Sequence, residues 1–389
     1  MTEGAHIVSV VHLDSYEPTA VRSALERLLA PLGSMKAFVD GKRSAVLKPN
    51  FLMPSPVETA RLTHPEIIRR TAEVVFHEGV KDVVVTDSPG IGTAEKCARK
   101  LGLEIDSAFF KVMDSADSVE LDSIQGDFKK IRFSTHIMEA DAVINLPKLK
   151  THAQMGMTLA VKNTFGAVMG ADKAQWHFRS GRDPMEFARL IVHIHERVAP
   201  VLSILDGVIG MEGNGPSSGT PRTSGFLAAS SNAHALDFAV CNILGIDPEN
   251  VYTIVAAKRM GLFPDESKIE IVGDSIESLR PSPPWKLARP VKTRVIGSSL
   301  LTPILDRLLS VSPLVDKQKC TLCLRCVDCC AAQAMAKETD KGAASKSKGR
   351  IVIDEKKCIA CFCCQEMCPE GAITVKTSPW ARLFGLGIR

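Results

Sequence analysis

Over the first 280 residues, short β-branched runs alternate with stretches in which apolar residues recur every three or four positions, as expected of strands separated by amphipathic helices. The runs predict strands over 45–48, 82–86, 142–145, 202–205 and 226–229. The helical periodicity predicts helices over 18–32, 65–78, 93–101, 184–198, 234–244 and 248–260. Several of these open with proline, whose missing N–H is harmless in a first turn, and stop at glycine, as with Pro65 and Gly79. The alternation predicts an α/β fold with a largely parallel sheet and flanking helices. Beyond it, Arg280-Pro-Ser-Pro-Pro-Trp285 reads as a stiff linker and 300–309 as an amphipathic docking helix. The expected organisation is therefore a large α/β domain over 1–280, a linker and docking helix over 281–313, a small α+β domain over 314–376 and a tail over 377–389.

The small domain carries an internal repeat. Leu314-Val-Asp-Lys-Gln-Lys-Cys320 aligns with Val352-Ile-Asp-Glu-Lys-Lys-Cys358, 38 residues on. Cys323 then falls over Cys361, Cys326 over Cys364, Cys330 over Cys368 and Ala334 over Ala372. Each half reads C-x2-C-x2-C-x3-C, the run that holds [4Fe-4S] clusters, with the fourth cysteine ligating the cluster of the other half. That rule assigns Cys320, Cys323, Cys326 and Cys368 to one cluster and Cys358, Cys361, Cys364 and Cys330 to a second. Soft thiolates suit iron-sulfur centres, and the short spacing lets one tight loop aim three of them at one cube. Structural zinc sites are the plainer alternative for paired C-x2-C units, but zinc ribbons lack a third C-x2-C step followed by x3-C. Over 314–376 the chain resembles the bacterial two-cluster ferredoxin domain. Ala331 replaces the proline that the second half keeps at Pro369, and 337–350 is a Lys/Gly/Ser-rich insertion expected to be a loop. Cys329 and Cys363 have Met367 and Arg325 as repeat partners, so they are expected to be packed thiols without a ligand role.

Composition narrows the class. Ten of the 12 cysteines lie between Cys320 and Cys368 of a 389-residue chain, a distribution that favours metal over a disulfide framework. Cys97 and Cys241, in apolar helical contexts, are expected to be buried and inert. With 45% hydrophobic and 24% charged residues the chain is neither disordered nor fibrous. It lacks an 18-residue apolar run and its start, MTEGAHIVSVVHLD, lacks signal-peptide order, so a cytoplasmic location without a transmembrane segment is expected. A net charge of +4 gives no support to nucleic-acid binding, and 20 aromatic residues offer little for base stacking. From Trp285 onward 18 Lys/Arg stand against 9 Asp/Glu, a surface suited either to an acidic partner or simply to solvent.

Candidate chemistry in the large domain gathers after strands. Lys48-Pro-Asn50, Asp87-Ser-Pro-Gly90, Pro147-Lys-Leu-Lys-Thr-His152 and Asp206-Gly207 follow the carboxyl ends of predicted strands, where open parallel sheets bind ligands. Lys48, Lys148, Lys150, His152 and Lys162 supply positive charge, while Asp87, Asp206 and Glu212 are candidate acids, bases or metal ligands. The balance suits a small carboxylate or phosphate. The loop 88–93 enters a helix whose free N–H groups are a candidate anion site, although it is no dinucleotide fingerprint, since Glu95 stands at the third glycine. The glycine-rich stretch 212–219 is expected to form a lid or a backbone nest. His193 and His195, two apart on a helix, point to different faces and make a poor pair for one metal; His177 is a weaker site candidate than His152.

Val46-Leu-Lys-Pro-Asn50, Thr86-Asp-Ser-Pro-Gly90, Asn145-Leu-Pro-Lys-Leu-Lys-Thr-His152, Lys162-Asn163, Gly166 and Glu212-Gly-Asn-Gly-Pro216, followed by the cysteine module, resemble the iron-sulfur proteins that carry the domain of unknown function 362. The resemblance spans nearly the whole chain and implies the cluster-ligand roles and a large-domain site without a reaction. The leading expectation is a redox protein with two [4Fe-4S] clusters passing single electrons to or from the large domain or an anionic substrate bound there, with a redox partner protein or that small anionic substrate as its partner. In it Lys48, Lys148 and Lys150 hold an anion, Asp87 and Asp206 orient or protonate it and His152 acts as acid or base. The alternatives are a non-enzymatic electron carrier or cluster-delivery partner, and an organic-acid enzyme with a structural ferredoxin module.

Overall fold

The computed structural model describes residues 4–181, 183–288, 311–338 and 349–377. Strands β1 (His6–His12), β2 (Ser44–Pro49), β3 (Asp82–Val85) and β4 (Lys111–Val112) precede a separate antiparallel ribbon of β5 (Ser118–Leu121) and β6 (Ile131–Ser134). β7 (Ala142–Leu146), β8 (Lys148–His152), β9 (Gly156–Thr158), β10 (Leu202–Glu212), β11 (Thr220–Ser230) and β12 (Ile269–Gly273) complete the large sheet. Its main path is β12-β1-β11-β10-β7-β2-β3-β4, with β8 branching from β10 and β9 pairing with β8. The pairs β2–β3, β2–β7, β3–β4, β7–β10, β8–β10 and β1–β12 are parallel, whereas β11 runs antiparallel to β1 and β10, and β9 to β8. The sheet is thus mixed and dominated by parallel pairs, as the strand–helix alternation predicts.

The helices are α1 (Pro18–Leu29), α2 (Lys36–Val39), α3 (Pro65–His77), α4 (Ala94–Leu101), α5 (Thr135–Glu139), α6 (Ala160–Asn163), α7 (Gly170–Arg179), α8 (Pro184–Val198), α9 (Ala233–Leu244) and α10 (Tyr252–Arg259). Strand side chains alternate between faces, and the alternation sorts them into two cores. Ala45 and Leu47 of β2 and Ala142, Ile144 and Leu146 of β7 pack with α1, α3 and α4, while Val46 and Val143 face the core built with α8, α9 and α10. Strands buried on both faces read as continuous apolar runs, which is why β2, β3 and β7 are legible in the sequence.

β8 departs from expectation. Its residues read as a polar loop after β7, but 148–152 form a fully buried strand beside β10. Asp206 likewise lies inside β10, just before a bulge, and the stretch after Glu212 connects β10 to its antiparallel neighbour β11. The predicted helix over 248–260 is split: Asp247 caps a single 3-10 turn, and α10 begins at Tyr252. Trp285 of the expected linker is buried against the α8–α10 core. The expected docking helix at 300–309, the core of the 337–350 insertion and the tail from 378 lie outside the described residues.

In the cysteine module β13 (Val311–Val315) pairs antiparallel with β16 (Ile373–Thr377), and β14 (Met335–Glu338) with β15 (Arg350–Ile353). Leu314 opposes Thr374 and Ala336 opposes Val352, positions that interchange under the 38-residue repeat. Each ribbon therefore joins the first strand of one half to the last strand of the other. The short helices Arg325–Asp328 and Cys363–Glu366 are also one period apart.

Candidate functional site

Two small voids in the module follow the same crossing. One is lined by Cys320, Cys323, Cys326 and Cys368, the other by Cys330, Cys358, Cys361 and Cys364 together with Cys363. The backbone N–H of Ala334 donates to Cys330 Sγ and that of Ala372 to Cys368 Sγ, each at 3.2 Å, so both fourth cysteines meet a donor suited to a thiolate. The cysteine-rich C-terminus points to a metal cluster.

A cavity of about 400 Å³ lies where this module meets the large domain. Its wall combines Asp87, Lys150, Lys162, Lys173 and His177 with Cys329, Cys363, Glu366 and Met367 of the module. The two halves are held together around it. Arg61 donates to the carbonyls of Ser217 and, at 3.0 Å, of Pro369; Ser217 Oγ donates to Gln365 O; Gln365 Nε2 donates to Asn214 Oδ1. The glycine-rich 212–219 stretch is thus a contact to the module, and Glu212 is engaged at its base with Arg222 and the N–H of Lys286.

Of the candidates from sequence, Asp87, Lys150, Lys162 and His177 line the cavity directly. Asp87 accepts from the N–H groups of Phe51 and Ser88, both at 2.8 Å, and Lys48 Nζ lies 3.2 Å from its Oδ1. Gly166 is required here, because any Cβ would collide with both the Asp87 carboxylate and the Lys48 ammonium. Lys150 Nζ donates to Asn50 Oδ1 at 2.6 Å and to Arg61 O at 2.7 Å, without a carboxylate partner. Asn50 continues to Asn163 and Asn163 to Asn145, so an amide relay fixes the floor. The start of α6, which carries Lys162 and Asn163, is held by Asp237 accepting from Ala160 N and Val161 N.

Lys148 and Asp206 lie outside this lining. Lys148 Nζ donates to Asp206 Oδ2 at 2.7 Å and to Tyr16 Oη; Tyr16 donates to Asp206 Oδ1, accepts from Ile209 N and stacks on His64, whose N–H also reaches Asp206. Every polar atom of the pair has a partner, and the arrangement clamps β8, β10 and the start of α3. His152 is also withdrawn from the cavity. Its Nδ1 accepts from Gln154 N and Met155 N, which leaves the ring proton on Nε2, 2.8 Å from Glu366 Oε1. Burial pushes His152 down to about 4, further lowered by Lys162. Burial opposes ionisation of Glu366, but His152 and the Lys162 ammonium outweigh it and hold the carboxyl below its usual range.

The cavity cations are strained by desolvation. Lys162 is 8% exposed and, among the described residues, has no hydrogen-bond or ion-pair partner; its ammonium faces the rings of Phe165 and Phe187. Burial lowers it, opposed by Glu366. Lys150 is pushed well down by burial and then by Lys162. Lys173, which donates to Ser88 O, is lowered by burial to about 8, with Asp87 opposing. A concave site with several buried cations and few counter-charges is suited to an anion. Sequence reasoning missed Lys173 and Glu366, which sit in no motif; Cys329 and Cys363, expected to be packed or spare thiols, line the cavity wall. The N-terminus of α4 is already filled: Thr93 Oγ1 accepts from Lys96 N and Asp114 Oδ1 from Glu95 N, so it is not an anion site.

Residues 45–242 match the family described as a domain of unknown function, DUF362. The chain belongs to this family. A thylakoid-associated protein of Synechocystis sp. is 39% identical over 267 residues, which is 67% of this chain and 82% of that protein. Among solved structures, the lactate racemase apoprotein of Thermoanaerobacterium thermosaccharolyticum aligns with a TM-score of 0.42 at 13% identity, over 61% of this chain and 57% of that one. A Thermotoga maritima protein aligns at 0.37 and 14%, over 74% and 65%. The chain spans less than two thirds of each, and neither likeness bears on activity. No helix among the described residues is long and apolar enough to cross a membrane.

Proposed function

We propose that this DUF362 protein is an iron-sulfur redox protein that holds a small organic anion in the interdomain cavity. One [4Fe-4S] cluster is assigned to Cys320, Cys323, Cys326 and Cys368, the other to Cys358, Cys361, Cys364 and Cys330. The donor chemistry supports this: the assigned quartet lines each void, with Cys363 as a fifth thiol in the second, and a backbone N–H reaches a sulfur in each quartet. Sulfurs around one zinc at about 2.3 Å would sit ~3.8 Å apart. Among the described residues, the group whose three ligand atoms lie within 4.8 Å of one another is instead His195, Glu196 and His234. Among the described residues the cysteine quartets form no such group, which favours a cluster over one zinc. When bound, such clusters supply one-electron chemistry.

The observation that carries the reading is that Cys329, Cys363, Glu366 and Met367 form one wall of the lysine-lined cavity, so a bound anion sits directly against the cysteine module. In this reading Lys150 and Lys162 hold the anion, Lys173 binds it and is the group able to carry a proton near neutral pH, and Asp87 orients Lys48 behind them. Lys148 and Asp206 position β8 and β10, and His152 positions Glu366; these replace the ligand-holding and acid–base roles expected for them. Phe51, Leu52, Ile91 and Phe165 line the rest of the wall and exclude water, which strengthens the charge interactions. The cytoplasmic expectation and the thylakoid association of the relative are reconciled by peripheral attachment to a membrane-borne redox partner.

Anaerobically purified protein is expected to contain about eight irons and eight acid-labile sulfides per chain. Mono- and dicarboxylates are expected to perturb the EPR spectrum of the reduced protein, and Lys162→Ala to remove the perturbation. Zinc in place of iron sinks the cluster assignment. Full iron with a spectrum that no anion alters sinks the cavity assignment and leaves an electron carrier.

A further inference from the structure

A second cluster of ligating side chains lies apart from both the cavity and the cysteine quartets. His195, in the last turn of α8, and its neighbour Glu196 meet His234, in the first turn of α9, and one ligand atom from each lies within 4.8 Å of the other two. The two rings are buried and stand edge to face with centroids 5.4 Å apart, and Glu196 Oε1 is 3.0 Å from His234 Nε2. Nδ1 of His195 and Nδ1 of His234 are both buried without a hydrogen-bond partner. An unsatisfied buried polar atom is unfavourable, and each of these two rings carries one. His193 does not compete: it turns to Asp127, with its Nε2 3.3 Å from the carboxylate, as the two-residue offset on a helix requires.

We propose that His195, Glu196 and His234 form a site for one divalent transition-metal ion of borderline softness, with Zn(II) as the reference ion. Two imidazoles and one carboxylate are a donor set such ions prefer. The Glu196 side chain is 30% exposed, which leaves an entry path and a coordination position for water. The ion ties the end of α8 to the start of α9 in the core beneath the sheet. This site is independent of the iron-sulfur reading, since none of its residues lines the cavity or a cysteine void.

The test is equilibrium dialysis of the cluster-loaded full chain against micromolar Zn(II), with iron quantified in the same samples. Wild type is expected to hold one more zinc per chain than His195→Asn or His234→Asn at equal iron content. Glu196→Gln, at a partly exposed position that leaves folding intact, is expected to bind that zinc roughly tenfold or more weakly. Equal zinc content and affinity in wild type and Glu196→Gln overturn the site, as does a wild type that takes up no zinc.

Discussion

Lys148 and Lys150 lie two residues apart on the same buried strand, yet their ammonium groups meet different surroundings. Lys148 is paired with Asp206, and Tyr16 completes the shell, so no polar atom of the cluster is left to a ligand. Lys150 finds only neutral oxygens, and its neighbours Lys162 and Lys173 share the cavity with it. The difference separates structure from function by one criterion. A buried charge that is fully paired holds the fold, whereas a set of buried charges with too few counter-ions is unfavourable until something binds.

The largest effect that can break this comparison is removal of one partner of the closed pair. Asp206→Ala leaves Lys148 buried and uncompensated, and urea unfolding is expected to show a loss of about 3–5 kcal/mol. The double variant Lys148→Met/Asp206→Leu is expected to regain part of it, because two apolar side chains need no counter-charge although Tyr16 Oη and the N–H of His64 lose their acceptor. A loss within the range of ordinary surface substitutions would mean that the pair is not the clamp described.

The open set is expected to respond in the opposite way. Lys162→Met removes an unpaired buried cation, so stability is expected to hold or rise, while carboxylate affinity measured by calorimetry falls roughly tenfold, or about 1.4 kcal/mol. Lost stability with unchanged affinity would move Lys162 into the structural class.

The smallest effect sharpens the comparison through pH. Lys173 titrates at about 8 in the folded protein against an ordinary 10.5, because burial disfavours its charge. Between those values the unfolded chain binds the extra proton, so this group makes stability rise with pH across that window, and its penalty is constant below it. Lys173→Met is expected to flatten that rise. The anion affinity of the wild type is expected to fall as pH passes upward through 8. An affinity unchanged across pH 8 would remove Lys173 from the site.

Legibility divided along similar lines. The parallel core strands were readable because burial on both faces makes them apolar throughout, and the paired cysteine runs because their spacing recurs within a few residues. β8 was not readable as a strand, since Lys148, Lys150 and His152 are polar and only burial against β10 and the module makes room for them. The motif residues Lys48, Asp87, Lys148, Lys150 and Asp206 were all singled out, but no pattern in the chain distinguishes the closed pair from the open cavity. Glu366, two residues from the repeat-matched Cys364 and Cys368, carried no signal of its meeting with His152.

By itself the amino-acid order determined the α/β alternation, the 38-residue cysteine repeat and the gathering of polar residues after strands, because each rests on periodicity or spacing over a few residues. Only the tertiary structure decided which lysines are neutralised, that Cys329 and Cys363 face a cavity, and that His195 finds His234 in place of His193. Charge compensation and ligand convergence depend on distances between residues far apart in the chain, and those are set by packing.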